Sequence, residues 1–264
     1  MRLGFIGTGN MASAIIGGVI KHGIAKPEEI IGADVFAPGR ERVQKQFGIQ
    51  VTADNMEVVK NADVMVLSVK PQYYADVISQ ISGEIKENQI VITIAPGKTL
   101  QWLAEQFGKD VKIVRTMPNT PAMVGEGMTA ACPNEFITDE DLAIVKTLLE
   151  SFSMVEVVPE KLMDAVTAVS GSSPAYVYMF IEAMADAAVS GGLSRPQAYK
   201  FAAQAVLGSA KMVLETGKHP GELKDMVCSP AGTTIEAVRV LEERGLRSAV
   251  FEAMKVVEDI SGRM

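Results

Sequence analysis

Apolar positions in the first half of the chain fall into short unbroken runs, and the stretches between them repeat at helical spacing. Leu3-Gly4-Phe5-Ile6 predicts a strand. Met11, Ile15 and Val19 then recur one turn apart, with Ile16 and Ile20 beside them, and predict a helix. His22 and Gly23 end it, glycine being a common helix stop. Further runs predict strands at Glu29 to Ala33, Ile49 to Val51, Asp63 to Ser68, Ile90 to Ile94 and Val111 to Arg115, with a helix after Pro71. Runs that lack a polar face are what a parallel sheet buried on both sides requires. Their alternation with helical stretches predicts a doubly wound α/β domain.

Two shorter strands are expected around Met128 to Cys132 and Met154 to Val158, separated by a helix beginning near Thr138. After Lys161 strand signals stop. Ser173 to Ser190 and Ser194 to Glu215 read as long helices, with Pro174 and Pro196 just inside their starts. Shorter helices are expected at Pro220 to Val227, Thr233 to Arg244 and Arg247 to Ile260. This change of character puts a boundary near residue 163, with an α/β domain over 1–163 and an all-helical domain over 164–264. No internal repeat or low-complexity segment interrupts either part.

The chain has 264 residues, 48% of them hydrophobic, enough for one large or two modest domains. Its net charge of -7, with no long Lys/Arg run, argues against a nucleic-acid or anionic-membrane partner. Cys132 and Cys228 are its two cysteines, far apart, so no disulfide framework is expected and a reducing compartment is the default. The opening residues reach Gly4 and Gly7 too soon for a signal-peptide core. No apolar run approaches the roughly 18 residues of a spanning helix. A soluble cytoplasmic protein is the expectation.

Gly7-x-Gly9-x-x-Ala12 directly follows a predicted strand and opens a predicted helix. In that context the first glycine permits a tight turn, the second lets backbone approach a pyrophosphate, and Ala12 allows close helix–strand packing. The free N–H groups and positive dipole end of the helix favour phosphate. A dinucleotide cofactor is expected there, with Gly7, Gly9, Asn10 and Met11 in contact. Asp34 ends the second strand, where an acidic residue bonds the adenosine ribose and favours NADH. Arg40 and Arg42 lie just beyond, and either holds a 2'-phosphate, favouring NADPH, or faces solvent on a helix. Loops at Ser68 to Pro71, Ala95 to Gly97 and Met117 to Pro121 follow other strand ends and are expected to line the same crevice.

His22 and His219 are the two histidines, the first at a helix end and the second before Pro220 in a loop. No His/Cys/carboxylate cluster has metal spacing, and no metal is expected. Nor does a Gly-x-Ser-x-Gly elbow or a Cys/His pairing mark a nucleophile. 3-Hydroxyacid dehydrogenases that share a Rossmann domain plus a helical domain use a lysine base on the first long helix, and no lysine occurs here between Lys161 and Lys200. Reducing an imine asks less: the nitrogen arrives already protonated or takes its proton from a hydroxyl or water, and the remaining need is positioning of hydride donor and acceptor.

Leu223-Lys224-Asp225-Met226-Val227-Cys228-Ser229-Pro230-Ala231-Gly232-Thr233-Thr234-Ile235 resembles the signature of pyrroline-5-carboxylate reductases. Ser170 to Tyr176, Met117 to Pro121 and the opening Gly4 to Met11 resemble the same family, so the likeness runs essentially end to end. It implies a Rossmann-like doubly wound sheet followed by an all-α dimerisation domain, and reduction of 1-pyrroline-5-carboxylate to L-proline with NADPH or NADH. It also implies Thr234 as the catalytic residue, bonding the ring nitrogen, and Ser229, Gly232, Thr233 and Thr234 as substrate-binding. The small, turn-rich Ser229 to Thr234 segment leads into a helix, and its N–H groups suit a carboxylate. A plain Ser/Thr helix cap is the bland alternative. Asn55, Val69, Lys70, Pro71, Ala95, Gly97 and Asn119 are carried over as cofactor-binding. Asp34 departs from the small hydroxyl residue of NADP-preferring members.

The two long helices are rich in alanine and glycine and carry Met179, Met184 and Met212. A helical domain with so few aromatics is thinly filled alone, which points to dimerisation. The resemblance implies interlocked dimers, a homodimer or a higher homo-oligomer such as a decamer.

Overall fold

Four consecutive apolar residues form β1 (Leu3–Ile6), and all four are buried. The same holds for β2 (Ile30–Ala33) and β4 (Val64–Leu67), while β5 (Ile90–Thr93) buries three apolar residues and Thr93. β3 (Gln50–Thr52), β6 (Lys112–Met117), β7 (Gly127–Pro133) and β8 (Ser153–Val157) complete one sheet, ordered β3-β2-β1-β4-β5-β6-β7-β8. Every pairing is parallel except β6 with β7. The chain folds back there without a crossover helix, through the 3-10 turn Thr120–Val124. The structure is a computed structural model, and it describes residues 1–263.

Successive strand residues alternate between two cores, as the pleat requires. Leu3, Phe5, Val64, Val66, Ile90 and Ile92 pack on one face with α1 (Asn10–Lys21) and with Leu148 and Phe152. Ile6, Met65, Leu67 and Val91 pack on the other. The crossover helices are α2 (Ala37–Phe47), α3 (Asn55–Asn61), α4 (Tyr74–Ile81) and α5 (Leu100–Phe107). Each of these large side chains gains about 1.5–3 kcal/mol from burial. α6 (Asp139–Glu150) begins at a capping box in which Thr138 and Asp141 satisfy each other's N–H groups. At the end of α1, His22 Nδ1 bonds the Gly18 carbonyl at 3.0 Å, a structural contact.

The chain forms two compact units. The first is Met1–Ser172 with the chain from Val257 on, and the second is Ser173–Val256. Strands end at Val157, but α7 (Met163–Val166) and the π-turn Thr167–Gly171 still belong to the first unit. Met163 packs there with Ala130 and Cys132. The second unit holds α8 (Ser173–Ser190), α9 (Arg195–Thr216), α10 (Pro220–Met226), α11 (Thr233–Glu243) and most of α12 (Leu246–Ser261). Ser194 and Gln197 form a capping box at the head of α9. Among the described residues, the buried apolar side chains of this unit are Ala185, Ala198 and Ala202. No described helix is long and apolar enough to cross a membrane.

Candidate active site

The turn after β1 is built so that only glycine fits at its first position. Gly7 has φ 96°, and a Cβ there would lie 2.7 Å from the Ser68 carbonyl oxygen. Its N–H donates to the Ala33 carbonyl at 2.7 Å, and the Ser68 hydroxyl donates to the Gly7 carbonyl at 2.7 Å. The turn is thereby tied to the ends of β2 and β4. Gly9 differs: a Cβ there would project into open space, the room a pyrophosphate needs. α1 starts at Asn10 with no side-chain cap and no acidic residue in its first turn, so its positive end is left for an anion. Ala12 is buried where the helix meets the sheet.

Asp34 stands at the end of β2, beside this turn. Its Oδ2 accepts both the N–H (2.7 Å) and the hydroxyl (3.0 Å) of Thr8, and Oδ1 accepts the Phe36 N–H at 3.0 Å. The carboxylate therefore braces the glycine-rich turn from inside, and Oδ1 keeps room for one more donor. Arg42 Nη2 donates to the Thr8 carbonyl at 2.9 Å, and Arg40 donates to the Asp34 carbonyl. Both arginines are thus drawn to the same corner as the carboxylate.

The other expected cofactor loops leave the same edge of the sheet, because β1, β4, β5 and β6 run parallel. Val69, Lys70 and Pro71 follow β4, and the Lys70 side chain is exposed. Ala95 and Gly97 follow β5, with Gly97 at φ 74°. Tyr74 joins these two loops. Its hydroxyl donates to the Leu67 carbonyl and accepts the Ile94 N–H at 3.3 Å, and burial pushes the phenol's pKa up. Asn55 opens α3, and its amide donates to Gln80 Oε1 at 3.0 Å. Asn119 follows β6. Its amide nitrogen donates to the Ser170 carbonyl at 3.0 Å, and its oxygen accepts the Met128 N–H at 2.9 Å. That side chain ties β7 to the π-turn and spends its strongest polar contacts on protein.

In the second unit, Ser229 to Gly232 form the link between α10 and α11. The Gly232 N–H returns to the Ser229 carbonyl at 3.0 Å, and Ala231 is held at φ 56°, a left-handed conformation unusual for a residue with a Cβ. A Cβ on Gly232 would come within 2.3 Å of the Ser229 hydroxyl oxygen. α11 then opens at Thr233 and Thr234 with no side-chain cap from Gly232, and both threonines are exposed. Its first-turn N–H groups and two hydroxyls form a compact donor set of the kind that takes a carboxylate. His219 caps α10, with Nδ1 accepting the Gly221 N–H at 3.1 Å.

Residues 160–264 match the family model described as pyrroline-5-carboxylate reductase dimerisation. Residues 2–97 match the one described as NADP oxidoreductase, coenzyme F420-dependent. A pyrroline-5-carboxylate reductase of Escherichia coli (strain K12) is 55% identical over 256 residues, covering 96% of this chain and 94% of that protein. The chain belongs to the pyrroline-5-carboxylate reductase family. Among solved members, a pyrroline-5-carboxylate reductase from Coxiella burnetii superposes with a TM-score of 0.91 at 33% identity, covering 99% of this chain and 97% of that one. A Plasmodium falciparum pyrroline carboxylate reductase with NADP bound gives 0.91 at 32% identity, over 100% and 97% of the two chains.

Two residues that brace this edge of the sheet escape a reading of the sequence, Thr8 and Tyr74, while Ser68 belongs to a loop already expected at the crevice. Thr8 sits between the two glycines, and its small hydroxyl beside an acidic strand end is a usable signal. Ser68 closes an otherwise apolar run, as a strand-end polar residue does. Nothing local marks Tyr74, because its partners come from two different strand ends.

Proposed function

We propose that this protein reduces 1-pyrroline-5-carboxylate to L-proline with NAD(P)H, the last step of proline synthesis. The observation that carries this is the near full-length identity to a curated pyrroline-5-carboxylate reductase, on a chain whose glycine-rich turn and Ser229–Thr234 loop are both intact. The dinucleotide fits the first unit. Gly9 leaves room for a pyrophosphate, the start of α1 meets it with N–H groups, and Val69 to Pro71 and Ala95 to Gly97 lie along the same edge. Asn55, Asp34 and Asn119 complete the set assigned to the cofactor. A bound NAD(P)H supplies the hydride. Asp34, Arg40 and Arg42 bring both charge signs to the corner where the adenosine ribose belongs, which suits use of both cofactors.

The chain's own work is to bind, orient and supply a proton. Ser229, Gly232, Thr233 and Thr234 hold the imine acid, its carboxylate on the N–H groups at the head of α11. The Thr234 hydroxyl hydrogen-bonds the ring nitrogen. A threonine is a poor acid, so this contact orients the ring first, and the proton reaches the nitrogen through it or from water. The imine carbon, the ring carbon on the side of the nitrogen away from the carboxylate, accepts the hydride and the nitrogen the proton, reducing the C=N bond to the C–N bond of a secondary amine. α8 carries no lysine, the base that 3-hydroxyacid dehydrogenases of this domain plan place on the first long helix.

The second unit is a dimerisation element, and the protein works as a homodimer or a higher homo-oligomer such as a decamer. Its buried core is three alanines, while Phe201, Leu214 and Met179 are exposed, a surface that calls for a second copy. We place the protein in the cytoplasm, and the domain roles divide at about residue 163.

The reaction is tested by product. One L-proline should appear for each NAD(P)H oxidised, and Thr234→Ala should lower kcat/KM for the imine acid by roughly 10–100-fold, as loss of a positioned hydrogen bond does. Kinetics equal to wild type in that variant would remove Thr234 from the site.

A further inference from the structure

An ion pair outside the residues assigned to cofactor and substrate stands beside the loop that follows β5. Arg115 lies in β6 with 7% of its side chain exposed, and its Nη1 donates to Glu160 Oε1 at 2.8 Å. The same carboxylate oxygen accepts the Leu100 N–H at 2.7 Å. Leu100 is the first residue of α5, so this N–H is one of the donors a helix start leaves unpaired, and the negative charge suits that end of the helix. Thr99 satisfies a second such donor, accepting the Trp102 N–H at 3.1 Å.

Glu160 keeps 31% of its side chain exposed, so water screens the pair and, with the cost of burying Arg115, it adds little stability. What it does supply is geometry. Glu160 joins β6, the segment after β8 and the start of α5 at one atom, and so fixes the far end of loop 94–99. The near end is fixed by the Tyr74 hydroxyl at Ile94. Ala95, Pro96 and Gly97 lie between the two anchors. A cavity of about 400 Å3 borders Gly97 and Thr99, with Arg115, Glu160, Lys161 and Asp164 also in its walls. Ala95 is packed in the core, whereas Gly97 and Thr99 border the cavity, where the Glu160 contact at Leu100 is the nearby anchor.

We propose that Arg115 and Glu160 are positioning residues for hydride transfer, holding the Ala95–Gly97 loop against the nicotinamide through the Leu100 N–H. This rests on the assignment of that loop to the cofactor. A loop free at one end would let the ring shift by a fraction of an ångström to an ångström, enough to cost up to about 100-fold in rate.

The test compares wild type, Glu160→Ala, Glu160→Gln and Glu160→Asp for NADPH affinity by fluorescence titration, steady-state kinetics and melting temperature. Glu160→Ala should weaken NADPH binding and lower kcat, together by roughly 10–100-fold, while KM for the imine acid moves less than about threefold. Glu160→Gln, which keeps an acceptor for the Leu100 N–H, should recover most of that loss. If Glu160→Ala does not fold, Glu160→Asp takes its place, since it keeps the charge but withdraws the acceptor by one methylene. It should show the same cofactor-selective defect in milder form. A lowered melting temperature with wild-type NADPH affinity and kcat would overturn the proposal, as would equal damage from Glu160→Gln and Glu160→Ala. A wild-type protein inert toward the imine acid would count against the reaction instead, and the NADPH titrations would still decide the clamp.

Discussion

Asp34 carries two demands at once. Its Oδ2 is filled by the Thr8 N–H and hydroxyl, so the turn needs the carboxylate whichever cofactor binds. Its charge still repels a 2'-phosphate, and Arg42, held at the Thr8 carbonyl, attracts one. Asp34→Ser should therefore raise the NADPH-to-NADH ratio of kcat/KM by roughly tenfold, and Arg42→Ala should lower it, one unit charge near the surface being worth about 1–2 kcal/mol at such distances. Taking the ratio cancels any loosening of the turn common to both cofactors. A ratio unmoved in both variants would take cofactor choice away from this corner. The acidic strand end was legible in the sequence at its expected spacing from the glycines. Its inward contacts were not, because they depend on where the β1 turn and the β2 end meet. Asn119 teaches the same lesson. Its place after β6 could be read from the chain, but its bonds to Ser170 and Met128 come from tertiary structure.

The element that most repays attention is the link from α10 to α11. Ala231 sits at φ 56°, which costs a residue with a Cβ about 1–2 kcal/mol, while glycine there would lose about 0.5–1 kcal/mol of extra chain entropy. These nearly cancel, so Ala231→Gly should move the melting temperature by no more than a few degrees and leave kcat/KM near wild type. Gly232→Ala is another matter. The new Cβ would meet the Ser229 hydroxyl at 2.3 Å and force it to turn away, and KM for the imine acid should rise about tenfold. If both variants behave alike in a steady-state assay, the fine shape of this link does not matter to substrate. Among the larger elements, the strands of continuous apolar run and the two long helices followed from periodicity alone. The short α3 and α5 did not, because seven or eight residues hold too few turns for a helical pattern to stand out. The antiparallel return of β7 was hidden as well, since strand direction depends on the connection and not on the composition of the run.

At the scale of the whole molecule, two kinds of core coexist. The first unit buries large side chains on both faces of its sheet, and the second buries alanines and leaves its bulkier residues outside. Phe201 on α9 is 66% exposed in the single chain. In a monomer Phe201→Glu would be harmless or mildly beneficial. In an oligomer closed through this face it should lower the mass seen by light scattering and the melting temperature together, while an unchanged mass would free α9 from the interface. The expectation of dimerisation through the C-terminal part agrees with the dimerisation model that matches residues 160–264, and its usable signal was the small residues of the two long helices. How far the first unit extends was harder to see, because α7, which packs with Ala130 and Cys132, and the π-turn carry no strand signal and yet belong to it. The assigned reaction is tested most directly by following NADH and NADPH absorbance separately, with 1-pyrroline-5-carboxylate beside a six-membered cyclic imine acid. Rapid oxidation with the five-membered ring, and far slower with the six-membered one, is the expected result. Folded protein that binds NADPH yet oxidises it with neither ring, or prefers the larger one, would contradict the assigned reaction.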